Sequence, residues 1–439
     1  MKIRGKDAAL VVVTTIPIVL GAVLAAISIG TPAPRNLEEI SSKMRAGEFD
    51  VALRELGIYL RDNSGDDRAK LMTAQAIIER VEAVKKKDES KSNDKYESEC
   101  NRALKYLEST RFNDSKRRAE VALWKGKAMY HSGRWGRAEV YWKEALDLDP
   151  RIPEAGWALL DLYYVEYRED EAHDLAMRLY KVEPDPRDRA NLLLELIRRE
   201  AKIPDPESIV NMLTDVLRID PNDLHAQLAL GLAYVKNSRL ETGLGILREA
   251  ERKHPDRVEV WDVSLTALEI ADPDGLATAL NRMPERFRSD PRFAYFYGRV
   301  AQDKLDWKTA IVEYRRAWET RPYDSRLAYR LSRALRLMGN DDESRSFAKQ
   351  FEGRIGAIES ARKQIRDIYV EATSTPNLGI VNRPSIYEKL ASLRERMGRD
   401  DEAALWREMS AKISASAAGE VEQKSKPASK TLKSMNFAL

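Results

Sequence analysis

Residues able to carry covalent or acid–base chemistry are few and scattered along this chain. His131, His173, His225 and His254 lie far apart, and no two share a metal-ligand spacing. The single Cys100 excludes an intrachain disulfide and any multi-cysteine metal centre. No Gly-rich phosphate loop follows a strand pattern, and no Cys-x-x-Cys, His-Glu-x-x-His or nucleophile elbow occurs. The carboxylate pairs Asp341-Asp342 and Asp400-Asp401 fall at turns or helix starts, where capping accounts for them. Nothing beside them would raise one pKa against the other. We therefore expect no enzyme activity and no cofactor or metal.

The elements that would position any other kind of site are helical. Across 439 residues, 43% aliphatic and aromatic content allows ample burial, and 33% charged content suits helices with one solvated face. The formal net charge is only +3, which gives no general attraction to nucleic acid. Size alone suggests two or three globular domains. Periodicity changes that expectation. In Leu224–Pro255 the run Leu230-Gly231-Leu232-Ala233-Tyr234 is followed by a turn at Lys236–Arg239, then Leu247, Ala250 and Pro255. This reads as helix, turn, helix, stop. Pro150, Pro184, Pro221 and Pro255 close comparable stretches at intervals of 34, 37 and 34 residues.

That pattern resembles the tetratricopeptide repeat. The resemblance implies an all-α, right-handed solenoid of antiparallel helix pairs, about nine or ten of them, over residues 31–413. A first, degenerate pair is Glu38–Arg45 and Val51–Arg61, and a second is Asp67–Val84 and Tyr96–Glu108, with Lys85–Lys95 as a solvated loop. A clear third unit has Gly126, Trp135, Ala138, Trp142 and Ala145. The seventh loses the pattern around Asp272-Pro273-Asp274-Gly275, and the eighth regains it with Gly298, Ala310, Tyr314 and Ala317. Small residues at helix crossings let backbones approach while a large side chain fills the remaining gap, so Trp135, Trp142, Trp307 and Trp318 read as packing. A loop is expected over Ser374–Arg383 and a disordered tail over 414–439.

Before the repeats, Ala8–Ile29 is 22 residues without a charge, preceded by Lys2, Arg4 and Lys6 within a seven-residue tail. As a helix it would be about 33 Å long, enough for a bilayer core. We expect a retained signal anchor over residues 8–30 rather than a cleaved signal peptide ending near Ala26-Ile27-Ser28. The flanking cations place the N-terminus in the cytoplasm and the repeats across a single-pass membrane span.

In tetratricopeptide proteins the first helix of each unit lines a concave face, and the resemblance assigns its groove positions. In the eighth unit these are Arg292, Tyr295, Arg299 and Gln302, and in the ninth Arg326, Tyr329, Arg333 and Arg336. Their i, i+3, i+7, i+10 spacing puts each set on one side of its helix. Guanidinium forks grip carboxylates and Tyr adds rigid apolar contact, so an acidic segment of a partner protein is the expected ligand. The competing reading is that Asp303, Glu319 and Asp324 neutralise these arginines. In the sixth unit His225, Leu228, Leu232 and Val235 make the same face apolar. The function expected is a membrane-anchored scaffold that binds proteins, in a bacterial envelope complex. A carbohydrate-binding or enzyme-associated helper of polysaccharide export, and a cytoplasm-facing docking receptor, are the alternatives.

Overall fold

The computed structural model describes residues 36–87, 94–183, 186–201, 206–321, 324–374, 383–397 and 399–425. Every regular element among them is helical. The chain divides into two compact bodies, the first ending at Phe112 and the second running on from Asn113.

The first body contains α1 (Leu37–Arg45), α2 (Phe49–Asp62), α3 (Asp67–Lys87) and α4 (Asp94–Glu108). The expected charged loop is therefore shorter than Lys85–Lys95, because helix continues at both ends and residues 88–93 alone lie outside the described set. Ile40, Ala52, Leu56, Ala69 and Ala76 are buried against one another.

The second body holds eight pairs. They begin with α5 (Ser115–His131) and α6 (Trp135–Leu148), then α7 (Pro153–Val165) and α8 (Glu169–Val182). Next come α9 (Pro186–Ala201) and α10 (Pro206–Ile219), then α11 (Leu224–Lys236) and α12 (Leu240–Lys253). The seventh pair of the chain is α13 (Val258–Ala271) and a short α14 (Leu276–Arg282). It is followed by α15 (Ala294–Asp303) and α16 (Trp307–Thr320), then α17 (Ser325–Leu337) and α18 (Asp341–Ser374). The last pair is α19 (Pro384–Arg396) and α20 (Asp400–Ser425). Helix therefore extends past Ser414, where a disordered tail was expected. Ala, Glu and Lys in that stretch are good helix formers, and a polar composition alone does not prevent a helix continuing from a packed one. Residues 426–439, the closing Pro184, residues 375–382 of the expected loop and the whole 8–30 segment lie outside the described residues. Among the described residues no helix is long and apolar enough to cross a membrane.

Aspartates start several first helices. Asp114, Asp223 and Asp324 each accept hydrogen bonds from backbone amides in the first turn, satisfying donors that have no intrahelical partner. The pairs Asp341-Asp342 and Asp400-Asp401 sit in the first turns of α18 and α20, where the helix dipole favours negative charge.

Among the described residues, six turns between paired helices are built alike. Gly47, Gly133 and Gly339 adopt φ of 77°, 79° and 76°, and Tyr167, Ser238 and Leu305 take the same left-handed conformation at 56°, 61° and 60°. The next residue's amide then reaches back to a carbonyl in the last turn, as Arg134 does to Met129 at 2.9 Å and Asp306 to Ala301 at 2.9 Å.

Within pairs, glycine permits contact between the helices. A Cβ on Gly126 would lie 2.3 Å from the Trp142 ring, one on Gly231 2.7 Å from Leu247, and one on Gly298 2.5 Å from Tyr314. Each partner lies sixteen residues further on. Trp135 and Trp142 are buried as the packing reading expects, whereas Trp307 and Trp318 are half-buried. In the ninth pair two serines replace the small apolar residues. Ser344 Oγ donates to the Ser332 carbonyl at 2.9 Å and Ser332 Oγ to the Ser344 carbonyl at 3.3 Å.

The last pair does not end the array freely. It packs back onto α8 and α9. Arg394, fully buried, donates through Nη2 to the carbonyl of Leu196 at 2.7 Å, across 198 residues of sequence. Its Nε lies 2.8 Å from Glu402 Oε2, and Arg399 pairs with the same carboxylate at 2.5 Å. Tyr180 Oη approaches the Leu405 carbonyl at 3.5 Å, Arg189 pairs with Glu408 at 3.8 Å, and α9 also meets α18. This body thus adds contacts between non-consecutive pairs to the stacking of neighbouring ones.

Two substitutions separate the turn from the crossing. Leu305→Gly, which removes left-handed strain at an exposed site, should stabilise the protein by about 1 kcal/mol in chemical denaturation. Gly126→Ala should destabilise it by about 1–3 kcal/mol, because Trp142 leaves no room for a methyl group.

Candidate partner-binding face and a buried charge network

The groove positions assigned from the repeat pattern fall into two groups. On α17, Arg326, Tyr329, Arg333 and Arg336 are all exposed and follow one another along one side of the helix. Arg326 approaches only Asp324, at 3.7 Å. Arg333 and Arg336 have no carboxylate partner among the described residues.

On α15 the same positions are spent on internal contacts. Tyr295 is buried, donates its hydroxyl to Glu269, and receives Arg330 Nε at 3.1 Å. Burial and the Glu269 carboxylate hold its phenol pKa up at about 12. Arg299 is largely enclosed and lies 3.7 Å from Asp303, while Gln302 accepts from Tyr314 at 2.9 Å. Arg292, in the turn just before α15, is exposed but paired with Asp290, with Nη2 at 2.6 Å and Nε at 3.0 Å. The neutralising reading therefore describes Arg299 and also reaches Arg326 on α17, through Asp303 and Asp324, two of the neutralisers it named.

Leu228, Leu232 and Val235 are core residues. They pack with Leu244, Leu247, Val260 and Ala267, and Tyr167 from the α7–α8 turn closes over them. The expected apolar stretch of groove is filled because neighbouring first helices pack side by side there. His225 is half-buried; burial, then the Arg168 cation, lowers its pKa.

Sequence spacing missed the buried network near His225. Arg168 Nη2 and Nη1 hold both oxygens of Glu139, at 2.8 and 2.9 Å. The same guanidinium binds Glu166 at 2.8 Å and Glu171 at 2.6 and 2.7 Å, and it stacks on Tyr163 with 4.3 Å to the ring centroid. Asp223, which caps α11, also accepts the Gly136 amide of α6 at 2.8 Å. Burial opposes ionisation of Glu139, but hydrogen bonds from Arg168 and Lys143 overcome it and bring its pKa to about 2. For Glu166 burial wins over Arg168 and pushes the pKa up to about 8. One guanidinium serves three glutamates, and burial shifts the most enclosed of them, Glu166, towards its protonated form.

The fold is all-α and built from successive tetratricopeptide-like helix pairs. No protein-family model and no curated protein sequence matches the chain. Among solved structures it is similar to the APC/C hetero-tetramer Cut9-Hcn1, at 13% identity over 86% of this chain and 78% of that one, TM-score 0.31. It is also similar to a human IFIT1 dimer with m7Gppp-AAAA, at 15% identity over 86% and 89%, TM-score 0.32. A third is YrrB, a TPR protein with an unusual peptide-binding site, at 17% identity over 38% and 88%, TM-score 0.19.

The network has a pH signature. Because burial raises the pKa of folded Glu166 above its unfolded value, its contribution to stability should fall as pH rises from the ordinary carboxylate pKa near 4.5 to about 8, while His225, whose pKa is lowered, contributes in the opposite sense below its ordinary value. Glu139 also opposes Glu166, but only as pH falls from 4.5 towards about 2. Glu166→Gln should therefore flatten the decline in melting temperature between about pH 5 and about pH 8, leaving the variant at least as stable as the parent at the upper end.

Proposed function

We propose that this protein is a membrane-tethered scaffold that gathers other proteins, and that the exposed side of α17 receives an acidic segment of a partner. The observation that carries this reading is the row Arg326, Tyr329, Arg333 and Arg336, in which two guanidiniums have no carboxylate of their own among the described residues. Planar forks of this kind pair with side-chain carboxylates, and Tyr329 supplies an aromatic surface between them. Protein rather than nucleic acid is the partner class, since the chain's positive and negative charges nearly balance. We assign the chain no catalytic step and no cofactor. We take the uncharged stretch Ala8–Ile29 behind Lys2, Arg4 and Lys6 as the tether, a reading that the flanking cations support with the repeats on the extracytoplasmic side in a bacterial envelope.

A labelled Asp/Glu-rich peptide should bind the full chain in fluorescence anisotropy and weaken sharply between about 0.05 and about 0.5 M salt. Arg333→Glu combined with Arg336→Glu should abolish that binding with helical content unchanged; retained binding would end the reading. In intact cells, a C-terminal tag should resist protease until the outer barrier is opened, and cleavage confined to the cytoplasmic side would reverse the orientation.

A further inference from the structure

The seventh pair differs from its neighbours in a way that opens a cleft. Its second helix, α14, has seven residues, against fourteen in α12 and in α16. Asp272 ends α13 and accepts the Gly275 amide at 3.0 Å, so the connection turns tightly and α14 starts late. The furrow between α12 and α13 is left incompletely covered. It forms a cavity of about 280 Å³ over Leu244, Leu247, Leu268 and Ser264. An outer hollow of about 450 Å³ shares Arg248, Glu251 and Arg282 with it and is flanked by Trp261.

The polar groups here are not used alike. Glu251 is buried, and Arg282 Nη2 reaches it at 2.6 Å. Asp272 is occupied by the Gly275 amide. Arg248 has a looser setting, with Nε to the Leu244 carbonyl at 3.3 Å and Glu241, itself almost fully exposed, at 3.6 Å. An exposed pair of that kind holds its arginine weakly. Ser264 is 1% exposed, and its Oγ has no hydrogen-bond partner although it lies on the cavity floor. Buried hydroxyls are nearly always satisfied, so an orphaned one beside a cavity points to a missing polar atom.

We propose that this cleft binds a small amphiphilic anion. Its oxyanion head, carboxylate or phosphate, sits at the mouth on Arg248, beside the Arg282–Glu251 pair. Its compact apolar body lies over Leu244, Leu247 and Leu268, with one polar atom meeting Ser264 Oγ. The volume suits a small molecule and not a folded segment. The two carboxylates are already engaged, which leaves a cation no ligand set. This site does not depend on the scaffold reading, because α17 contributes nothing to it.

The test is calorimetric titration of the full chain with hexanoate, hexyl phosphate and hexanol. Saturable one-to-one binding of either anion, with hexanol at least tenfold weaker, is the expected result, and whichever anion binds identifies the head group. Arg248→Glu should weaken the anion about tenfold or more without changing the melting temperature. Thr278→Trp, at an exposed lining position, should block the cavity, and Ser264→Leu should do the same where it folds. No saturable heat with either anion, equal binding of hexanol, or unchanged binding in Arg248→Glu and Thr278→Trp would each overturn the proposal.

Discussion

How closely two paired helices can approach governs this structure. Where Gly126 faces Trp142, Gly231 faces Leu247 and Gly298 faces Tyr314, the absent Cβ admits a side chain that would otherwise clash. Dispersion and burial over that contact depend on density, and a gap of even a fraction of an ångström forfeits much of the gain. Each pair is too small to hide its own apolar surface, so the fit must recur from pair to pair. The left-handed turn residues serve the same end. They reverse the chain within a few residues and aim the second helix at the glycine of the first. Where glycine is replaced, as at Ser332, reciprocal hydrogen bonds with Ser344 keep the two backbones close by a polar route.

The second body combines these local pairings with contacts that ignore repeat boundaries. Asp223 caps α11 and also ties α6 to it, while Arg168 gathers glutamates from two pairs. Arg394 does the same for the last pair, satisfying a Leu196 carbonyl and the buried Glu402 at once. A buried guanidinium is expensive to desolvate, and each of these recovers the cost only by engaging several acceptors. Such arginines specify one arrangement of the helices more than they add net stability.

Much of the fold was legible because its determinants are local. Gly231 and Leu247 sixteen residues apart, the aspartate caps and the residue pattern around each turn are short-range signals that spacing can carry. Asp272-Pro273-Asp274-Gly275 marked the seventh pair as irregular, although not that a cleft would result. The candidate site was legible only on α17. On α15 and α11 the same repeat positions turned inward, because Tyr295 met Glu269 and Arg330, and Leu228 and Leu232 met α13 and Tyr167. Those outcomes depend on how neighbouring first helices abut, and no period of about 34 residues encodes that. The Arg168 and Arg394 networks were invisible for the same reason, since their partners come together only in three dimensions.

The contact between Arg394 and Leu196 also limits how this protein can change in length. Repeat arrays ordinarily gain or lose whole units with little penalty, since each touches only the next. Here one more pair between α9 and α19, or one fewer, would shift the guanidinium by at least a helix diameter, about 8–10 Å. The Leu196 carbonyl would be stranded, while Arg394 and Glu402, both in the last pair, would move together. A change in the number of units in that interval would therefore break this contact together with those of Tyr180 to Leu405 and Arg189 to Glu408 beside it.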